Sequence, residues 1–204
     1  MIRPVFFALF LLPLPIQAGD WPQWLGPGRD GVWRENGIVE SFPETGPEIL
    51  WRVPAEYGYS SPTVSDGKVY LSDYVITEGE VVNNPSGRNP LKGRERIRCF
   101  DAATGGELWS HEYDQPYFIS YPGGPRSTPT VADGKVYALG AEGKFLCLDA
   151  ATGEVVWQQD WKEIYGIESP IWGFSAHPLI EGDTLYALVG GEGSVAVAFD
   201  KNTG

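Results

Sequence analysis

The chain contains an internal repeat, which constrains the fold more than any other feature of its sequence. The string Cys-Phe-Asp-Ala-Ala-Thr-Gly at 99–105 returns as Cys-Leu-Asp-Ala-Ala-Thr-Gly at 147–153, and a third copy begins at Ala198. The aspartates Asp101, Asp149 and Asp200 are separated by 48 and 51 residues. A period of this length is that of one four-stranded sheet in a repeat protein, so the sequence predicts an all-β fold.

Each repeat unit contains the signals of four antiparallel strands. The first strand begins at a recurring X-Pro phrase (61–64, 128–131 and 177–180), and a pair of Asp and Gly residues then predicts a type I′ hairpin. β-branched and aromatic residues dominate the second strand, a third covers 97–101, 145–149 and 195–200, and a fourth ends on Trp109 or Trp157. We therefore predict a β-propeller of four-stranded blades, of which about three are present in a ring of about seven or eight.

Several recurring residues are predicted to be structural. A buried indole removes roughly 150–250 Å² from water, on the order of 4–6 kcal/mol before side-chain entropy, so one Trp per unit is expected to hold neighbouring blades together. The Asp of each unit is expected to accept hydrogen bonds from turn amides, and the Gly to adopt a left-handed conformation. The structural positions are Trp51, Asp101, Gly105, Trp109, Asp149, Gly153, Trp157, Asp200 and Gly204.

The chain divides into three predicted parts. Residues 1–18 have one positive charge, an apolar run and a small-residue end, which predicts a secretory signal peptide cleaved near Ala18. The apolar run is too short to span a bilayer, and no cysteine near the cleavage point offers a lipid anchor. Residues 19–48 are predicted to be extended, and 49–204 to form a partial propeller that starts with an outer strand at 49–53 and lacks the fourth strand of its third blade. These features predict a secreted or periplasmic protein.

The charge of the chain disfavours nucleic acid as a partner. Its formal net charge is −12, whereas binding to phosphates or anionic lipid needs an excess of Lys and Arg. One local cluster departs from this balance, with five of the fifteen basic residues inside eleven positions. These residues are Arg88, Lys92, Arg94, Arg96 and Arg98.

This basic cluster belongs to an insertion between the second and third strands of the first unit. The insertion covers 73–95, against only 140–144 in the next unit, and is rich in Gly, Asn, Pro and charge. We predict a surface loop on the rim of the propeller. It either contacts an acidic protein or a glycan, or is simply a solvated loop.

A second candidate binding region lies where the innermost strands begin. His177 occupies the position held by Ser61 and Thr128 in the other units, next to the mouth of the central channel. Tyr59, Arg126 and Trp172 lie in the corresponding inter-blade segments, and a guanidinium with aromatic rings and an imidazole can hold a ligand. The alternative is that His177 only satisfies local backbone groups.

Several kinds of site are not expected. The two histidines, His111 and His177, are 66 residues apart, and no Cys-x-x-Cys or calcium-loop motif occurs, so no metal is predicted. The glycine-rich run at 190–193 has an equivalent at 140–143 between two strands, which indicates a hairpin turn. Cys99 and Cys147 occupy equivalent positions of successive units, which are too far apart for a disulfide, and are predicted to be buried thiols.

The repeat pattern Ala/Cys-x-Asp-x-x-Thr-Gly-x-x-x-Trp resembles the tryptophan-docking repeat of pyrroloquinoline-quinone-type β-propellers. The resemblance extends from about Trp51 to Gly204. The phrase Asp-Trp-Pro-Gln-Trp-Leu-Gly-Pro at 20–27 is further similar to large secreted families of planctomycete-type bacteria, which usually have Arg in place of Leu25. The superfamily includes quinoprotein alcohol dehydrogenases and an outer-membrane assembly lipoprotein.

These observations leave three hypotheses for the function. The first is a non-catalytic scaffold that binds a protein or glycan partner and needs no cofactor. The second is a quinoprotein dehydrogenase for alcohols or sugars, for which the resemblance implies bound quinone and calcium. The third is an outer-membrane protein assembly factor, from which the chain departs in having no predicted lipid anchor.

Overall fold

The structure, a computed structural model, describes residues 19–204. This part of the chain forms three antiparallel β-sheets and one short helix. Within it, no helix is both long enough and apolar enough to cross a membrane. The predicted signal peptide, at 1–18, lies outside the described residues.

The sheets follow one another along the chain, as the repeat predicts. The strands are β1 (Thr63–Ser65), β2 (Lys68–Glu78), β3 (Asn89–Asp101), β4 (Glu107–Asp114), β5 (Tyr117–Ile119), β6 (Thr130–Ala132), β7 (Lys135–Leu139), β8 (Lys144–Asp149), β9 (Val155–Asp160), β10 (Leu179–Glu181), β11 (Thr184–Leu188) and β12 (Ala196–Asp200). The first sheet has the strand order β1-β2-β3-β4, with the short β5 also paired to β3; the second has the order β6-β7-β8-β9, and the third has the order β10-β11-β12. The helix, α1 (Trp161–Tyr165), follows β9. Residues 49–53, predicted to be an outer strand, belong to no strand in the described range.

The turns after the innermost strands follow the prediction in two units and depart from it in the third. Both residues of Asp66-Gly67 and of Asp133-Gly134 have positive φ, between 49° and 71°, as a type I′ turn requires. At 182–183 only Gly182 has a positive φ, so this turn is not type I′. The reversed order of the residues explains the difference, because glycine occupies the first position of this turn.

Neighbouring sheets bury apolar side chains against each other. Between the first and second sheets, Tyr70, Ile97 and Cys99 pack in one cluster with residues of β7 and β8. Equivalent residues of the second sheet, among them Tyr137 and Cys147, pack against β11. Both cysteines are buried and unbridged, as predicted.

The recurring Trp residues join neighbouring units, as predicted. The Trp109 indole lies on Gly153 so closely that a Cβ there would be 2.6 Å from the ring, and its Nε1 donates to the Ala150 carbonyl at 3.1 Å. Two further pairs repeat this contact, namely Trp51 on Gly105 and Trp157 on Gly204. Each indole therefore replaces a side chain on the Thr-Gly turn of the unit that follows it.

The prediction of a long rim loop at 73–95 is wrong. Residues 73–78 belong to β2 and residues 89–95 belong to β3, with Asp73 opposite Arg96 and Tyr74 opposite Glu95. Only 79–88 connects the two strands. Side chains of β3 alternate between buried and more exposed from Leu91 to Cys99. The charged residues that suggested a loop therefore lie on the outer face of a long hairpin.

The N-terminal segment lies along the innermost strands of all three sheets. Trp21 exchanges two backbone hydrogen bonds with Val64, at 2.8 and 3.1 Å, and the Pro22 carbonyl accepts from the Val131 amide at 2.8 Å. Arg29 then donates from Nη2 to the Ile180 carbonyl at 2.7 Å. The three partners occupy equivalent positions in β1, β6 and β10, so one segment ties successive units together.

Candidate functional site

Three connecting segments meet at one end of the sheets. They are residues 54–62 before β1, 120–129 between β5 and β6, and 166–178 between α1 and β10. Since all three innermost strands begin here, this end corresponds to the predicted mouth of the channel.

Arg126 organises the middle segment of the mouth. Its Nη1 donates to the Gly124 carbonyl at 2.5 Å, and its Nη2 donates to the carbonyls of Ser120, at 2.9 Å, and Tyr121. The guanidinium carbon lies 5.3 Å from the centroid of the Tyr59 ring. Burial lowers the pKa of Arg126 from its ordinary value. The Arg126 side chain thus donates to backbone carbonyls, and the face of its guanidinium packs on the Tyr59 ring.

Exposed apolar side chains occur in all three segments of the mouth. Tyr59 and Trp172 are 51% and 57% exposed, and Tyr121 and Ile171 are also exposed. The Ile171 carbonyl accepts from the Ser120 amide at 2.6 Å, which places the two segments side by side. We call the three aromatic residues of this set, Tyr59, Tyr121 and Trp172, the mouth aromatic surface.

The tip of the β2–β3 hairpin also reaches the mouth. Trp172 donates from Nε1 to the Pro85 carbonyl at 3.1 Å. Arg88 donates to the carbonyls of Phe118 and Ser169, each at 2.8 Å. The long hairpin thus supports the mouth aromatic surface.

The other predicted basic residues lie on β3 and are paired with carboxylates. Lys92 lies 2.7 Å from Glu78, and Arg94 lies 2.7 Å from Glu112. Arg96 and Asp73 form a bidentate pair at 2.6 and 2.7 Å, and Arg98 Nε donates to Glu107 Oε2 at 2.7 Å. The predicted basic patch is therefore a row of ion pairs on one face of the first sheet.

His177 packs against the N-terminal segment. Its ring stacks on Trp24 with centroids 4.6 Å apart and planes 16° from parallel. Burial lowers the pKa of His177, which favours the neutral imidazole. Its buried Nε2 has no hydrogen-bond partner among residues 19–204. The structure thus places the Tyr59 ring on Arg126, while Trp172 donates to the Pro85 carbonyl and His177 stacks on Trp24.

Sequence reasoning missed a fully buried carboxylate of the β2–β3 hairpin. Glu95 accepts hydrogen bonds from the hydroxyls of Tyr113 and Tyr117 and, at 2.8 Å, from the Ala141 amide of the second sheet. It is 1% exposed, and burial raises its pKa from the ordinary value. No local pattern indicates this site, because the Ala141 amide comes from 46 residues away.

The carboxylates at the repeat positions act as turn caps, as predicted. Asp101 Oδ1 accepts from the amides of Ala103 and Thr104, at 3.1 and 2.8 Å, and the same contacts recur at Asp149 and Asp200. These hydrogen bonds lower the pKa of each carboxyl. Within residues 19–204 no three His, Cys, Asp or Glu side chains are placed to hold a metal ion.

Comparison with known proteins supports the fold. A family model described as outer membrane protein assembly factor BamB matches residues 93–204, over half of the chain. No curated protein matches significantly. Among solved structures, the quinohemoprotein alcohol dehydrogenase from Comamonas testosteroni is similar with a TM-score of 0.57 and 20% identity, over 91% of this chain and 26% of that one. This likeness shows the β-propeller fold.

Two further structures are less similar. A europium-containing methanol dehydrogenase has a TM-score of 0.47 and 19% identity, over 74% of this chain and 24% of that one. BamB from Moraxella catarrhalis has a TM-score of 0.30 and 18% identity, over 72% of this chain and 60% of that one. The chain spans about a quarter of the length of either dehydrogenase.

Proposed function

The chain belongs to the PQQ-like β-propeller family described as outer membrane protein assembly factor BamB, and from this premise we propose that it is a non-catalytic scaffold that binds a protein partner through its mouth aromatic surface. We place this scaffold outside the cytoplasm, in the periplasm or secreted. The family description names an assembly factor, which supports a protein as the partner rather than a glycan.

One observation carries the proposal, namely the exposed aromatic surface around an ordered arginine. Tyr and Trp are enriched where proteins bind each other, since they bury much apolar area with few rotatable bonds. Here the Tyr59 amide donates to the Pro125 carbonyl and its ring lies against Arg126, and the Trp172 indole donates to the Pro85 carbonyl, yet both side chains remain half exposed. A rigid, exposed aromatic surface loses little conformational entropy on binding.

Site-specific crosslinking tests the binding surface. A photoreactive phenylalanine replaces Trp172, or for comparison Trp33, which is 59% exposed and lies beside Asp20, away from the mouth. In cells that produce the protein, we expect one discrete protein adduct from position 172 and none from position 33. Equal adducts at both positions, or none at 172, would contradict the proposed surface.

A separate titration tests the absence of catalysis. The protein is mixed with pyrroloquinoline quinone and calcium, and the visible absorbance and dye-linked oxidation of alcohols are measured beside a known quinoprotein dehydrogenase. We expect no new absorbance band and no dye reduction. Saturable quinone binding would overturn the scaffold and favour the dehydrogenase hypothesis.

A further inference from the structure

An open cavity of about 500 Å³ lies between the first and second sheets, at the end opposite the mouth. Its lining includes four aspartates, Asp20, Asp66, Asp133 and Asp149, together with Lys68 and Ala150. The Asp133 carboxylate is paired with Lys201, which leaves three carboxylates against the ammonium of Lys68, and this excess of negative charge favours a cationic occupant.

The equivalent site between the second and third sheets is already filled by a lysine. Lys201 is 7% exposed, and its Nζ lies 2.6 Å from Asp133 Oδ2 and 2.6 Å from the Gly182 carbonyl. A second carboxylate, that of Asp183, lies 3.4 Å from the same nitrogen. The ammonium thus bridges the turns of two successive units.

Lys201 and Ala150 occupy the same backbone position in their units. The amide of Ala150 donates to Gly134 at 2.9 Å, and that of Lys201 to Asp183 at 3.0 Å. Their carbonyls each accept from the docked indole, Trp109 at 3.1 Å and Trp157 at 2.9 Å, and each also accepts from a Tyr hydroxyl. The two sites therefore differ chiefly in the side chain, a methyl group in one and an alkylammonium in the other.

The acceptors of the ammonium also have counterparts in the cavity. Asp66 corresponds to Asp133, and the Asp133 backbone corresponds to that of Gly182. Gly134 stands where Asp183 contributes its carboxylate, but Asp20 supplies one from the N-terminal segment. The Asp20 carboxylate is held at 3.1 Å by the Asp66 amide.

Lys68 does not take the place of Lys201. It lines the cavity, and its Nζ lies 3.7 Å from Asp66 Oδ2. Its equivalent in the second unit is Lys135, which coexists with the buried Lys201 at the filled site. Lys68 therefore accompanies the ammonium site rather than occupying it.

We propose that this cavity binds a primary ammonium group on an alkyl chain, presented by a lysine side chain of a protein or by a free alkylamine. The site goes beyond the proposed function, since it lies away from the mouth aromatic surface and its occupant needs no quinone. Binding weakens with added salt because the lining carboxylates are partly exposed.

The test is a titration of the protein with n-butylammonium, followed by backbone amide chemical shifts at a constant ionic strength of about 0.15 M. We expect saturable shifts at Asp66, Gly134 and Ala150, and none with n-butanol, which has the same chain without the charge. Equal shifts with the two probes, or no saturable shift, would overturn the proposal.

Three variants sharpen this test. Ala150→Lys and Ala150→Met both fill the cavity and should weaken butylammonium binding by at least about tenfold. Only the Lys variant places an ammonium between the two turns, so its thermal midpoint should be higher than that of the Met variant. Conversely, Lys201→Ala should create a second butylammonium site, detected by new shifts at Asp133. Undiminished butylammonium binding in both position-150 variants would contradict the location assigned to the site. If a variant does not fold, the titration of the wild-type protein still decides the proposal.

The source of the ammonium is distinguished by a second probe. A short peptide with one central lysine is compared with n-butylammonium under the same conditions. Binding of the peptide at least about tenfold more tightly identifies a lysine of a protein as the occupant, and equal affinities identify a small amine. A peptide with norleucine in place of lysine should not bind, and its binding with equal affinity would contradict the ammonium assignment.

Discussion

At the scale of single residues, the glycine of each Thr-Gly turn has two separate reasons to be glycine. Gly153 has a φ of +75°, which an L residue rarely adopts, and it is also covered by the Trp109 indole. Gly134, in the Asp-Gly turn of the same unit, has a similar φ of +71° with no atom within 4 Å of an added Cβ. The pair therefore separates backbone strain from indole docking.

We predict that Gly153→Ala destabilises the protein more than Gly134→Ala. The left-handed conformation costs each alanine about 1–2 kcal/mol. At position 153 only, the added methyl group also displaces the indole, and such overpacking lowers the free energy of unfolding by a further amount of about 1–3 kcal/mol. Denaturant unfolding followed by tryptophan fluorescence measures both losses, and equal losses would show that the indole contact contributes nothing.

The charge of the buried Glu95 opposes folding at neutral pH. Because burial raises its pKa in the folded protein above the usual value of about 4.3, the folded state binds its proton more tightly than the unfolded state. The contribution of Glu95 to stability is therefore fully present below about pH 4.3 and is lost as the pH rises through the raised pKa.

We predict that Glu95→Gln becomes more favourable, relative to wild type, as the pH rises from about 4.3. The glutamine side chain keeps an oxygen that accepts from the Ala141 amide and gains an NH₂ group that can donate to a Tyr oxygen. It also removes the buried charge. The difference in free energy of unfolding between the two proteins grows by at most about 1.4 kcal/mol per pH unit. Glu80→Gln, in the exposed loop at 79–88, controls for the loss of one surface charge, and a pH-independent difference for Glu95→Gln would contradict the argument.

At the scale of elements, the β2–β3 hairpin is held by one nearly buried ion pair and several exposed ones. Asp73 is 1% exposed and is shared by Arg96 and the Glu56 amide, at distances between 2.6 and 3.0 Å. In the pair of Lys92 with Glu78, by contrast, both side chains are about two-thirds exposed.

We predict that Arg96→Gln destabilises the protein and that Lys92→Gln barely does so. Removal of one partner from a buried pair costs about 3–5 kcal/mol, and the value here should lie toward the lower limit because Arg96 is partly exposed. An exposed pair contributes about 0–1 kcal/mol. Urea unfolding of both variants measures the contrast, and similar losses would mean that Asp73 does not depend on Arg96.

The sequence predicted this hairpin incorrectly although it contained a usable signal. Its Gly, Asn and Pro content indicated a loop, but Lys92, Arg94, Arg96 and Arg98 stand at every second position, which is the period of a strand. The four-stranded units, the docked Trp residues and the Asp caps were predictable because each depends on residues within one repeat. The cradle of Glu95 and the stacking of His177 on Trp24 depend on distant segments, so no local pattern reveals them.

At the scale of the whole molecule, two kinds of contact join the units. Each unit packs on the next through apolar faces and a docked Trp, which is the nearest-neighbour coupling expected of a repeat protein. The N-terminal segment differs, because residues 20–29 contact the innermost strands of all three units in turn. This segment therefore couples the first unit to the third as well as to the second.

We predict that replacing residues 20–24 with a flexible Gly-Ser sequence lowers the cooperativity of unfolding and exposes the innermost strands. The amide of Val64 loses the Trp21 carbonyl and that of Val131 loses the Pro22 carbonyl, so both should exchange faster with solvent deuterium. The same replacement at 38–42, where the apolar side chains are exposed, is the matched control and should leave both amides protected. Unchanged protection at Val64 and Val131 after the first replacement would show that the sheets cohere without the N-terminal segment, and that their coupling is limited to adjacent faces.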